Sequence, residues 1–165
     1  MPVALILPIS MVLALIAWTL FFYWYVHPVL RRKGFVETMR PLLLLHAFRF
    51  IGLMFLIPGV TAEPLDPRFA SPAAHGDLIA AVLALVALDV LHVNRKWGIA
   101  AVWVFNIWGL ADLLNAVARG LLFTPDGALG AAFWIPLVIV PLLLVSHVYI
   151  FARLWQEARS QKVVA

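Results

Sequence analysis

Cysteine is missing from the 165 residues, and its absence removes disulfide scaffolds, thiolate metal sites and dithiol redox chemistry from the readings open to this chain. Charge is scarce: 12% of residues are Asp, Glu, Lys or Arg, where a soluble domain carries about a quarter. Lysine occurs only as Lys33, Lys96 and Lys162, all at the edges of apolar runs, so no helix interior offers the amine that a retinal protein requires. The serines are Ser10, Ser71, Ser146 and Ser160. None is an embedded nucleophile beside a base, because Ser146 and His147 are adjacent and adjacent helical residues point apart. HExxH, a P-loop, GxGxxG and a carboxylate cluster for a divalent metal are lacking as well. No soluble-type enzyme has the residues it needs here, and the expectation is a protein without catalysis of its own.

What is abundant is apolar bulk: 65% of residues are hydrophobic and the mean hydropathy is +1.02. A membrane-crossing helix needs about 20 apolar residues, and runs of that kind fall at about 3–26, 41–58, 77–94, 98–120 and 131–153. The fold class expected is all-α, an integral membrane bundle of five transmembrane helices forming one domain over 1–165. The first run is too long for the core of a signal peptide. Pro41 suits the first turn of the second helix, whose start alternatively lies near Phe35, and Pro58-Gly59 ends it.

The net charge of +4 comes from basic residues in short connections instead of on one exposed face, which argues against nucleic acid as a partner. Arg31, Arg32, Lys33, Arg40, Arg95, Lys96, Arg153, Arg159 and Lys162 all fall at one end of the bundle; Glu63, Asp66, Arg68 and Asp126 fall at the other. Basic loops resist translocation, so the N-terminus is expected outside and the C-terminus in the cytoplasm, in a bacterial inner (plasma) membrane. Tyr23, Trp24 and Tyr25 then form an interfacial belt. Segment 58–76, with four prolines, reads either as a cover across the outer mouth or as a solvated linker, and Thr124-Pro125-Asp126-Gly127 as a type I turn.

Polar residues inside apolar runs are informative because a charge at mid-bilayer costs about 2.5–3.5 kcal/mol on insertion scales. At about 1.5 Å per residue, His46, Arg49, Asp89, Asn106 and His147 share one layer roughly 7–12 Å from the basic end. His46 and Arg49 are three apart, as are Asp89 and His92, so each pair shares a helix face. Arg49 is expected to face inward, compensated by Asp89 or Asp112, with His46 lining the same cavity; the alternative is an Arg49 that snorkels to the headgroups. In the fourth helix, Trp97, Ala101, Val104, Trp108, Asp112, Asn115 and Arg119 fall on one stripe expected to face protein. Ala80, Ala81, Ala84 and Ala87 allow close helix approach, and Pro141 predicts a kink in the fifth helix.

The candidate ligand-binding set is therefore His46, Arg49, Asp89, Trp108, Asp112, Asn115, Arg119 and His147. The leading expectation is an accessory or ligand-holding subunit of a larger membrane assembly. Its partners would be the lipid bilayer, other membrane subunits or further copies of itself, and a small apolar or amphipathic ligand. Two alternatives stay open: a haem b protein with His46 and His147 as iron ligands, and a small oligomeric transporter or proton pathway.

Overall fold

A computed structural model describes residues 5–164, with side chains through Ser160. The expected start of the first span at residue 3 and the side chain of Lys162 lie outside the described residues. Among those described, five helices are long and apolar enough to cross a membrane: α1 (Ile6–Leu30), α2 (Phe35–Leu56), α3 (Pro67–Val93), α4 (Arg95–Phe123) and α5 (Gly130–Ser160). No strand occurs among the described residues; Pro58 and Thr61 form one isolated bridge.

The helices α2 to α5 form the core, and α1 leans on α5 from outside. In its most apolar stretch α1 is 6% buried, against 33–39% for the other four. Its docking includes a hydrogen bond from Trp18 Nε1 to the Val138 carbonyl (3.0 Å). Small residues make the centre tight: Ala73, Ala74, Gly76, Ala80, Ala81, Ala84 and Ala87 of α3 are all buried, the expected alanines among them. Asn94 alone separates α3 from α4, and its Oδ1 caps α4 by accepting from the backbone N–H of Lys96 (3.0 Å) and Trp97 (3.2 Å).

Helix α2 does begin at Phe35, and it changes winding midway. After Ala47 it runs as a 3₁₀-helix from Phe48 to Leu56, nine residues where three or four are usual. Three residues per turn keep Arg49, Gly52 and Phe55 on one buried line facing α3; with α-helical winding that line would rotate by about 60° at each step. A π-helical turn at Ile135–Ile139 leads into the stretch of α5 that holds Pro141, so the two usual causes of a helix bend lie side by side.

Two expectations need correction. Helix α3 starts ten residues earlier than expected, so most of the proline-rich segment is helix. Pro67 occupies its first turn, where a missing N–H costs nothing, and Asp66 caps it by accepting from Arg68 N (2.8 Å). Side-chain hydrogen bonds from Arg68 hold the Asp66 carboxyl at about 2, so the cap stays ionised through neutral and mildly acidic pH. Pro72 orphans the carbonyl four residues back, that of Arg68, and Arg119 Nη1 donates to it (2.8 Å). The turn after α4 is also shifted by one residue: Ala128 N–H bonds the Pro125 carbonyl (3.1 Å), with Gly127 third at φ +82°, which a type I turn does not allow.

The rest of the proline-rich connection, 57–66, is docked on the turn after α4. Ala62 N donates to the Ala128 carbonyl (3.0 Å) and Ala131 N to that of Val60 (2.9 Å), while Thr61 and Leu65 are buried.

Close approach at the centre is a requirement, because a Cβ on Gly76 would collide with the Asp112 carboxylate while one on Gly34 would meet nothing. Gly76→Ala is expected to lose about 1–3 kcal/mol of stability in detergent unfolding, and Gly34→Ala, which alters only the N-cap of α2, to lose less, about 0.5. Equal stability of the two variants would contradict this packing.

Candidate functional site

Arg49, 1% exposed, sits where α2, α3, α4 and α5 meet, and each of its three nitrogens has an acceptor within hydrogen-bond distance. Nε donates to Asp77 Oδ1 (2.7 Å), and Nη2 lies 2.7 Å from the same oxygen and 2.8 Å from Asp112 Oδ2. Nη1 donates to the Gly109 carbonyl (2.9 Å) and faces His147 Nε2 at 3.5 Å. The helices come this close because three glycines stand at the contact. A Cβ on Gly52 would overlap Asp77, one on Gly76 would overlap Asp112, and one on Gly109 would lie 2.7 Å from the His147 ring and 3.0 Å from Arg49 Nη1. A charge this deeply buried costs several kcal/mol in desolvation, so satisfied donors and paired carboxylates are the condition for its presence.

A second layer joins α2, α4 and α5. His147 Nδ1 lies 2.7 Å from Asn106 Oδ1, and Asn106 Nδ2 donates back to the His147 carbonyl (3.2 Å). The carbonyl oxygen accepts, so Nδ1 carries the proton and Nε2 presents a lone pair to Arg49. His46 lies against His147 with ring centroids 4.2 Å apart, and Phe105 packs on both. His46 Nε2 is 2.9 Å from Ser146 Oγ, whose own hydrogen goes to the Leu143 carbonyl (2.9 Å). That orientation gives the serine no base, and both side chains are 0% exposed, so the Ser146–His46 pair is not an activated nucleophile. His46 Nδ1 is buried with no partner.

The structure gathers four of the eight candidate residues: His46, Arg49, Asp112 and His147. Asp89 is exposed on the outer face of α3, and Asp77, twelve residues earlier and three helical turns deeper, takes the place expected for it. Trp108 is 45% exposed. Asn115 is exposed and bonds Arg119 (3.0 Å), whose guanidinium serves the Arg68 carbonyl at the far end. The stripe expected to face protein is thus out of phase: the buried face of α4 is Gly98, Val102, Phe105, Asn106, Gly109 and Leu113, and Asp112 reaches inward from its flank. His92 meets Arg40 (3.3 Å) and takes no part.

The surroundings differ on the two sides of this cluster. Toward the basic end lies a continuous apolar core that includes Met39, Leu42, Leu43, Ala87, Leu91, Val102, Ile150 and Leu154. Toward the opposite end lies a cavity of about 380 Å³ with Asp77 at its floor and the 124–129 connection as its roof. Its walls are apolar and come from the start of α1, the end of α4 and the start of α5. Because α1 packs on α5 and scarcely meets α4, the cavity is flanked by α1 on one side and α4 on the other.

Haem ligated from both faces puts iron and a porphyrin plane between two imidazoles, with metal–nitrogen bonds of about 2 Å on each side. Rings 4.2 Å apart, tilted by 49° and bonded to Ser146, Asn106 and Arg49 leave no space for that plane, so His46 and His147 do not fit the group. No group of three His, Cys, Asp or Glu among the described residues is arranged to hold a metal ion.

Fold and site together define a class: a bundle of five membrane-length helices closed around a guanidinium that two carboxylates hold. The chain belongs to the family described as a domain of unknown function (DUF8737), whose match covers residues 6–155 and so takes in every residue of the cluster. Comparison with curated proteins and with solved structures gives no match.

Removing the guanidinium leaves two buried carboxylates without a counter-charge. Arg49→Met is therefore expected to destabilise the protein by about 3–5 kcal/mol in detergent, while Asp89→Asn changes stability by less than about 0.5. Equal melting behaviour of the two variants would show that the cluster does not hold the bundle together.

Proposed function

We propose that the protein is a non-catalytic integral membrane protein that holds a small apolar or amphipathic ligand, acting as an accessory subunit of a larger membrane assembly. The observation that carries this reading is the cavity above Asp77. At about 380 Å³ it falls within the usual range of ligand pockets, and it combines apolar walls with a fixed polar floor. Its position between α1 and α4 suits a molecule that arrives through the lipid. The apolar core on the other side of the cluster favours holding over passage, since no polar path continues from His46 toward the basic end among the described residues. The poorly buried α1, with exposed Val12, Leu13, Ile16 and Leu20, supports docking in the bilayer against other subunits or further copies of the chain.

We further propose an orientation with the N-terminus outside, the basic end in the cytoplasm, and the cavity in the outer half of a plasma membrane, supported by the nine basic residues of that end. Because the chain has no cysteine, single cysteines report topology cleanly. In intact cells an impermeant thiol reagent is expected to label Glu63→Cys and spare Arg32→Cys; the reverse pattern would invert the orientation.

The ligand itself is tested by native mass spectrometry of protein taken from its own membranes in mild detergent. A small-molecule adduct is expected on the wild type and absent from Val117→Trp, which fills the cavity. An adduct retained equally by both, or no adduct on either, would count against the cavity as a ligand site.

A further inference from the structure

We propose that the polar end of the ligand is a protonated amine, bound at Asp77. This inference rests on the ligand-holding reading above and adds the chemistry of the headgroup. Arg49 is a single cation facing two carboxylates, Asp77 and Asp112. From α5, His147 is neutral by its bonding, because Nδ1 donates to Asn106 and Nε2 faces an Arg49 donor. From α2, His46 is fully buried beside His147, with no carboxylate among its contacts in the described residues. With both aspartates ionised, the cluster holds one negative charge more than it can neutralise, in surroundings where an uncompensated charge is costly.

That excess is accessible at Asp77. Arg49 is sealed away from the cavity, whereas Asp77 lines it. Asp77 takes both of its guanidinium contacts through Oδ1, so Oδ2 accepts no hydrogen bond among the described residues. Asp77 as a whole is 7% exposed, and what remains open belongs to the cavity floor. A ligand entering between α1 and α4 therefore meets apolar walls and, at the end, a carboxylate oxygen with a free lone pair and a charge to balance. An ammonium group on an apolar stem supplies both the donor and the charge. A hydroxyl supplies the donor alone, and a carboxylate or phosphate headgroup is repelled.

The test uses three probes with the same twelve-carbon chain: dodecylamine, dodecanol and dodecanoate. Stoichiometric binding to the full-length protein is measured at neutral pH by native mass spectrometry, with Val117→Trp as the control for non-specific partition. Dodecylamine is expected to bind the wild type about tenfold or more tightly than dodecanol, with dodecanoate weakest. In Asp77→Asn the advantage of the amine over the alcohol should vanish. If that variant fails to fold, the wild-type ranking alone decides. Equal binding of all three probes, or preference for the acid, overturns the amine assignment while leaving the cavity as a ligand site. Binding of none of them, or equal binding to Val117→Trp, overturns the cavity reading together with the assignment.

Discussion

The Arg49 guanidinium, bonded to Asp77 and Asp112, is the constraint around which the rest of the bundle is arranged. An arginine at this depth is tolerable only if its guanidinium is bonded and its charge compensated, which takes groups from α3, α4 and α5 at once. That demand explains features that look unrelated in the chain. Glycines stand at positions 52, 76 and 109 because a methyl group at any of them would occupy the space of a cluster side chain. The alanines of α3 let α2 and α4 approach closely enough for the carboxylates to reach. The long 3₁₀ stretch of α2 keeps Arg49, Gly52 and Phe55 in line along the α3 contact.

The cluster also divides the bundle. On its basic side an apolar core of leucines, alanines and aromatics fills the space between the helices, and the paired histidines close that core against the arginine. On the other side the helices part around a cavity, roofed by a connection that is pinned to its neighbour by backbone hydrogen bonds. The cavity thus has a polar floor at Asp77, a roof at 124–129 and helices α1 and α4 at its flanks. The buried contact between His46 and Ser146 leaves the serine without a base, since Ser146 Oγ donates to the Leu143 carbonyl.

How much of this was legible in the chain depended on what each residue costs. Five spans were readable because apolar length is a direct physical requirement, and Arg49 and Asp112 stood out because a charge inside such a span demands a partner. Asp77 was not legible. The proline-rich segment 58–76 reads as a connection, which places residue 77 at a helix end; in the fold Pro67 opens the helix and the carbonyl orphaned by Pro72 is taken by Arg119. Starting α3 ten residues late moves Asp77 by about 15 Å along the axis, from the core to an interface. The phase of α4 was lost for another reason. When the exterior of a helix is as apolar as its interior, periodicity of hydrophobic residues does not mark the inner face, and what marks it here is Gly98, Asn106 and Gly109. The bond between His46 and Ser146 joins residues 100 apart, and no local spacing could announce it.

The most direct test of the central claim is a double-mutant cycle in which Arg49→Met is combined with Asp77→Asn, and separately with Asp112→Asn, and unfolding free energies are measured in one detergent. Groups that share a buried network are coupled, so each pair is expected to deviate from additivity by about 1–3 kcal/mol, with the loss of a carboxylate recovering part of what loss of the arginine costs. Additivity within about 0.5 kcal/mol for both pairs would mean that Arg49 is not held by these carboxylates, and the arrangement described here would be wrong.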